Sequence, residues 1–256
     1  MIDMSAQISS DAVVAESAQV EAGAFIGEGC IIGENVRIGR NSIVEAYTEI
    51  GDNTLLSPNV HIGGAPQDIG FKNEATRLII GKNCTIREFS TIHRASTKED
   101  WVTEIGDNCY IMATSHIGHD CKVGNNVIIT SFVGLSGHVS VGDNVVFGGM
   151  AGIHQFVRIG KGAMIGGFSR IAKDVPPFCL AEGNPAKIHG LNSVGLRRSG
   201  FKKEQLSNLK KVMKIFLNKE YLLDDAVNEI VKVADSAEVK EFAEFLKNSK
   251  RGVLRR

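Results

Sequence analysis

The stretch IIGENVRIGRNSIVEAYTEIGDNTLL, residues 31–56, carries an aliphatic side chain at every sixth position: Ile32, Ile38, Val44, Ile50 and Leu56. A helix of 3.6 residues per turn and a strand of period two both fail to keep that spacing. A short strand followed by a tight turn, repeated around a three-sided prism, does keep it. The period runs back through Ile26, Val20, Val14 and Ile8 and forward to Ile62, resumes at Ile80, Ile86 and Ile92, and then runs unbroken from Ile105 through Ile111, Ile117, Val123, Ile129, Leu135, Val141, Phe147, Ile153, Ile159 and Ile165 to Ile171. Three hexads make one coil of 18 residues, and the Gly and Asn of IGENVR, IGDNTL, IGDNCY and VGDNVV supply the cramped backbone positions that corners need. The reading is a parallel β-helix whose interior is a stack of aliphatic layers, in keeping with an aromatic content of only 6%.

Two interruptions mark extruded loops. GGAPQDIGFKNEATRL separates Ile62 from Ile80, and HRASTKEDWVTE separates Ile92 from Ile105 with a one-residue slip in phase, so loops are expected near 63–79 and 93–104. Loops thrown out of a rigid solenoid are where function concentrates. After Ile171 the prolines of DVPPF are expected to stop the coil, and AEGNPAKIHGLN reads as a linker. From Lys203 onward KEQLSNLKKVMKIFL, LLDDAVNEIVKVA and SAEVKEFAEFLKN have helical apolar spacing, with Ser236 a candidate N-cap for the last helix. This divides the chain into a β-helix domain, 1–190, and a helical domain, 191–256.

The whole chain of 256 residues is neutral, with 29 basic and 29 acidic side chains, which argues against a general nucleic-acid or membrane-surface binder. The balance hides a split: residues 191–256 hold 15 Lys and Arg against 9 Asp and Glu, leaving 14 against 20 in residues 1–190. A basic end on an acidic body suggests an anionic partner for that end. No apolar run reaches the length of a membrane span and MIDMSAQISSDAVV lacks the layout of a signal peptide, so a cytoplasmic protein is expected. Five cysteines without a C-x-x-C pair indicate neither a disulfide framework nor a zinc ribbon; they read as small buried side chains.

Chemistry gathers around TSHIGHDCKVGNN, residues 114–126. Positions 18 apart sit on one face, roughly 4.8 Å from each other. His119, Gly137 and Gln155 therefore form one column, and Asp120, His138 and Phe156 the next. Asp120 can accept the Nδ1–H of His119 and leave Nε2 as a proton acceptor, while the Gly137 N–H beside it is a candidate oxyanion donor. Together these suit base-assisted acyl transfer to a hydroxyl. Two other readings stand beside this one: a metal site built from His116, His119, His138 and His154, as in the zinc-binding gamma-class carbonic anhydrases, and histidines that are only hydrogen-bonded on the prism surface.

The hexads, APQDIGFKNEATR, IREFSTIHR, HIGHDCKVGN, LSGHVSVGDN, GGMAGIHQFVRIG, KDVPPF and GLRRSGF occur in the order found in the UDP-N-acetylglucosamine acyltransferases of lipid A synthesis, and the chain resembles that family over essentially its whole length. The resemblance implies a left-handed β-helix, usually a homotrimer, that takes a 3-hydroxyacyl chain from acyl carrier protein to the 3-hydroxyl of UDP-N-acetylglucosamine without a cofactor. It implies His119 as general base with Asp120 orienting it, Gly137 facing the oxyanion, and His116, His138, His154 and Gln155 as substrate contacts. Asp68 would grip the sugar nucleotide, Asn192 and Arg198 would meet the nucleotide and its phosphates, and Gly167 would leave the acyl groove open for a long chain. The basic helical end becomes a docking surface for the acidic carrier protein. Three positions depart from the family pattern. Gly70 stands where a lysine is usual, with Lys72 nearby as a possible substitute; Val194 stands where some members have a glutamate; and the tandem arginine is shifted, giving Arg197-Arg198-Ser199. A 3-amino sugar nucleotide is the alternative acceptor within the same mechanism.

Overall fold

The computed structural model describes residues 1–255 and is built from three sheets of nine, eight and ten strands, in which hydrogen-bonded neighbours are every third strand in the chain except at the C-terminal end of the ten-stranded sheet. The result is a left-handed parallel β-helix of two-residue strands with a small α-helical region at its C-terminal end. Register follows the hexads: Gln7 pairs with Phe25 and Ile8 with Ile26, and His116 pairs with Gly134 and Ile117 with Leu135, in each case one coil of 18 residues on. The anchors from Val20 to Ile171 are buried, Phe147 among them.

A second layer of small side chains lies two residues before each anchor. Ala24, Val36, Ser42, Thr54, Ser115 and Val127 occupy it, and so do Cys30, Cys84, Cys109 and Cys121. Polar members of this layer satisfy themselves on the backbone of the next coil: the Ser115 hydroxyl donates to the Thr130 carbonyl at 2.9 Å, and the Cys121 thiol to that of Ser136 at 3.1 Å. All five cysteines are buried and free. Burial pushes the Cys121 thiol up to about 12, which removes it as a nucleophile.

Corners are made by residues in the left-handed backbone region, and the three edges of the prism fill that position differently. One edge is a run of Asn35, Asn53, Asn83, Asn108, Asn126 and Asn144. Asparagine is among the few L-residues that tolerate this conformation, and Asn35 donates to Asn53 Oδ1 at 3.2 Å along the edge. The second edge carries Phe89, Thr114, Phe132, Met150 and Phe168, and the third carries Asp120, His138 and Phe156, each at a positive φ. Bulky side chains there cost on the order of 1–3 kcal/mol apiece, a strain that clusters at functional positions.

Both loops leave the prism where the repeat breaks. Strands His61–Gly64 and Arg77–Ile80 bracket the first, and Thr91–His93 and Val102–Ile105 the second, so the extruded segments are 65–76 and 94–101. Ile62 pairs with Ile92 and Ile92 with Ile117, steps of 30 and 25 residues against the regular 18. The apparent one-residue slip is thus a loop that adds seven residues to the regular coil. Buried Arg94 ties the two loops together, donating to the Gly63 carbonyl at 3.0 Å and Asn73 Oδ1 at 3.2 Å, with its guanidinium 5.4 Å from the Phe71 ring centroid.

The C-terminal part departs from expectation in three ways. DVPPF does not end the prism, because Val175 bridges Ile159 and Leu180 pairs in parallel with Met164; the prolines sit at a corner, where no ladder N–H is lost. AEGNPAKIHGLN is not a linker but an antiparallel hairpin of Cys179–Gly183 and Ala186–Leu191. Ser236 stands at the N-cap of the last helix with an extended backbone, yet its buried hydroxyl finds no partner. Four helices follow the hairpin: α1, Ser193–Arg198; α2, Lys203–Phe216; α3, Leu223–Ile230; and α4, Ala237–Lys247. Helices α2, α3 and α4 share a core of Leu209, Val212, Phe216, Ile230, Val239 and Phe242. The tail then returns to the prism, where the buried Asp174 carboxylate accepts from Ser249 Oγ at 2.8 Å and the Arg158 N–H at 2.9 Å. No helix among the described residues is long and apolar enough to cross a membrane.

Adjacent residues on one strand test the layered core. Ile129 is fully buried and Ile128 is 37% exposed. Ile129→Ala is expected to lower unfolding free energy by about 2–5 kcal/mol through the cavity it leaves, and Ile128→Ala by about 1 kcal/mol or less, read from urea unfolding midpoints.

Candidate active site

The strand His116–Ile117 belongs to the nine-stranded sheet, and the turn after it swings His119 and Asp120 onto the edge shared with the eight-stranded sheet. Asp120 takes the left-handed corner with φ 60°, which turns its carboxylate back under the histidine that precedes it. His119 Nδ1 lies 2.7 Å from Asp120 Oδ2. Loop and sheet close around the carboxylate: the Ser96 N–H donates to Oδ1 at 3.2 Å and Oδ2 at 3.1 Å, and the Asp120 N–H donates to Thr103 Oγ1 at 2.8 Å. Burial works against the charged carboxylate, but the hydrogen bonds from His119 and Ser96 and the nearby His138 outweigh it and hold Asp120 below the usual carboxylate range. Asp120 is thus an anion with fixed orientation at neutral pH.

An ionised carboxylate has only acceptors, so its partner nitrogen carries the proton. Nδ1–H on Asp120 leaves Nε2 of His119 as the free lone pair. One coil on, Gly137 supports the ring from behind. A Cβ built there would meet His119 Cε1 at 2.8 Å and Nε2 at 2.9 Å, so the space freed by the missing side chain is filled by the base itself. The Gly137 N–H donates to no protein group among the described residues, and its carbonyl accepts from the Phe156 N–H at 3.3 Å.

His138, at the corner one coil above Asp120, stacks on Phe156 with centroids 4.4 Å apart and meets the His119 ring edge-on at 5.1 Å. Its Nε2 is 3.7 Å from Asp120 Oδ2 and its Nδ1 is 3.2 Å from Glu99 Oε1. His116 sits on the strand below, with Nδ1 2.8 Å from Thr91 Oγ1 and its ring 5.2 Å from that of His93. Burial, and then the charge of His119, push His116 down from its ordinary value; burial and its histidine neighbours take His93 down to about 4. Both are neutral imidazoles at pH 7.

His119, Asp120 and His138 offer three ligand atoms within 4.8 Å of one another, so the metal reading needs a test on donor geometry. His119 Nδ1 and Asp120 Oδ2 point at each other at hydrogen-bond distance, and Ser96 occupies further lone pairs of the same carboxylate. A set whose members are already spent on one another fits a zinc ion poorly, whereas it fits a base and its orienting anion well.

The remaining residues singled out from sequence divide by edge. Exposed His154 and Gln155 extend the catalytic edge by one coil, and Arg251 from the tail reaches His154 Nδ1 at 3.0 Å. Asp68 comes in on the first loop, where Lys98 holds it at 2.5 Å; Lys72 is exposed and contributes only its backbone N–H, to Glu74. Gly167 neighbours Gly149 on the apolar edge. Asn192 caps α1, accepting from the Gly195 N–H at 3.1 Å and donating to the Gly162 carbonyl at 3.0 Å, which puts it and exposed Arg198 by the asparagine edge. The hexad arithmetic did not reveal Thr91, His93, Ser96, Glu99, Thr103 or Arg251. Ser96 and Glu99 lie in the interruption, and only its position between Ile92 and Ile105 pointed to it.

Comparisons with known proteins show what the chain as a whole is similar to. Residues 174–254 match the model of UDP N-acetylglucosamine O-acyltransferase domain 2. Residues 29–64 and 103–137 match the bacterial transferase hexapeptide, and 138–167 the hexapeptide repeat of succinyl-transferase. An acyl-(acyl-carrier-protein)-UDP-N-acetylglucosamine O-acyltransferase of Thermodesulfovibrio yellowstonii is 48% identical over 213 residues, 83% of each chain. One of Campylobacter concisus is 44% identical over 207 residues, 80% of this chain and 79% of its own. The solved UDP-N-acetylglucosamine acyltransferase of Campylobacter jejuni superposes over the full length of both chains with TM-score 0.94 at 40% identity.

Gly137→Ala tests the support of the base. The added methyl must push the His119 ring off its 2.7 Å contact with Asp120, so acyl-transfer turnover is expected to fall about a hundredfold or more while the melting temperature stays near wild type.

Proposed function

The chain belongs to the UDP-N-acetylglucosamine acyltransferase family, and on that premise we propose that it moves a 3-hydroxyacyl chain from acyl carrier protein to the 3-hydroxyl of UDP-N-acetylglucosamine, the opening step of lipid A synthesis, with His119 as general base. The observation that carries the assignment of the base is the His119–Asp120 contact at 2.7 Å, which commits Nδ1 and frees Nε2.

The reaction needs no protein nucleophile. Nε2 of His119 takes the proton of the sugar hydroxyl as its oxygen attacks the thioester carbonyl. The carbonyl becomes a tetrahedral oxyanion, and the Gly137 N–H is the donor proposed to meet it. Collapse re-forms the carbonyl and breaks the carbon–sulfur bond, and the imidazolium returns its proton to the departing thiolate. Asp120 stays ionised throughout, stabilising the transient imidazolium. His116, kept neutral by burial, His138, His154 and Gln155 are proposed to line the acceptor, with Asp68 on the sugar and Asn192 and Arg198 towards the nucleotide.

We propose a cytoplasmic homotrimer, a reading supported by where these groups lie. His119, Gly167 and Asn192 stand by three different edges of one convex prism and face away from each other. In the proposed assembly they surround one ligand from neighbouring copies. Exposed Phe132, Met150 and Phe168 on the edge that bears Gly167 would then wall the acyl groove against a neighbouring catalytic edge, shutting water out of the thioester site. We assign residues 1–190 to acyl transfer and the basic 191–256 to docking of the acidic carrier protein.

His119→Ala is expected to lower turnover by roughly 10²–10⁴ with the β-sheet circular dichroism unchanged. The assay pairs one 3-hydroxyacyl carrier protein with UDP-N-acetylglucosamine and, in parallel, its 3-amino analogue; near-normal turnover of the variant removes the base assignment, and preference for the amine changes the acceptor.

A further inference from the structure

The second loop reaches across the first at one charged contact. Lys98 Nζ lies 2.5 Å from Asp68 Oδ2, with the aspartate side chain 16% exposed and the lysine 60% exposed. The Gly70 N–H also donates to Asp68, at 3.0 Å, so the carboxylate is held by its own loop and by its neighbour. The hydrogen bond from Lys98, then that from Gly70, keep Asp68 below the usual carboxylate range.

Lys98 lies two residues from Ser96, which meets the Asp120 carboxylate, so Asp68 is held on the loops that flank the base, and a carboxylate there is a liability for an enzyme whose acceptor carries a diphosphate. Left uncompensated, Asp68 would repel the incoming anion. Apart from Lys98, no cation among the described residues pairs with it, Lys72 included. The contact is not needed to hold the loops together either, because buried Arg94 already joins them through Gly63, Asn73 and Phe71. A lysine ammonium has three donors, and Asp68 uses one of them. Resting on the function proposed above, we infer that Lys98 is a positioning residue for the sugar nucleotide: it neutralises and orients Asp68 from the second loop, so that a nucleoside diphosphate sugar can settle beside His119.

The test is steady-state kinetics on wild type, Lys98→Met, Lys98→Arg, Asp68→Asn and the double variant Asp68→Asn/Lys98→Met, with titration calorimetry of UDP-N-acetylglucosamine on each. Lys98→Met is expected to raise KM and Kd for the sugar nucleotide roughly tenfold or more, with kcat and the KM for the acyl donor within about twofold of wild type. Lys98→Arg should recover most of the loss. The double variant should be no worse than Asp68→Asn alone, since Lys98 acts through that carboxylate. A wild-type Kd in Lys98→Met, equal losses for both substrates, or losses that add in the double variant would each overturn the inference. Absence of turnover in wild type would instead remove the proposed function, while the calorimetry still decides the part played by Lys98.

Discussion

In-register stacking of the coils is the constraint on which everything else rests. Most corner residues hand their N–H to a carbonyl of the coil before them, as His138 does to His119 at 3.0 Å and Asn126 to Asp107 at 2.8 Å, while Asp120 gives its own to the Thr103 hydroxyl. A parallel ladder of that kind locks residue n beside residue n + 18, and one extra residue within a coil would turn every later side chain to the wrong face. The loops of twelve and seven additional residues are absorbed because they leave and rejoin at corners, so Ile80 still pairs with Ile105 and Ile86 with Ile111. Catalytic geometry is inherited from this ladder. The base, the glycine behind it and the stacked His138–Phe156 pair are consecutive coils of one edge.

The three edges show how a uniform scaffold acquires a site. Where nothing is asked of a corner, asparagine fills the left-handed position at low cost and its amides chain from coil to coil. Where a corner carries Asp120, His138 and Phe156, or Phe132, Met150 and Phe168, backbone strain is accepted in exchange for side chains with chemistry or apolar bulk. The loops then finish what a two-residue strand has no room to build. Ser96 gives Asp120 its N–H donor, and Lys98 meets Asp68.

Much of this was legible in the residues. The period of six gave the prism, the coil length and the columns, and with them the meeting of His119 and Gly137. Periodicity did not reveal that Gly137 makes room for the His119 ring itself, because that depends on the χ angles of the histidine. It also misjudged the C-terminal part of the prism: prolines at a corner do not break a ladder that needs no N–H there, and the hairpin at Cys179–Leu191 has no hexad to announce it. Closeness in sequence to Gly70 points to Lys72 and says nothing about a lysine delivered by a second loop, as Lys98 is to Asp68. Ser236 shows that a good capping residue does not cap when its hydroxyl is buried away from the first turn.

The central claim is a statement about one proton: Nδ1 of His119 carries it and Nε2 does not. Nitrogen-15 chemical shifts of the His119 ring, assigned by comparison with the His119→Ala spectrum and followed between pH 6 and 9, report this directly. The neutral ring is expected to show a protonated, strongly hydrogen-bonded Nδ1 and a bare Nε2, a pattern lost in Asp120→Asn. A ring that stays in the Nε2–H tautomer, or whose shifts ignore the loss of Asp120, would contradict it.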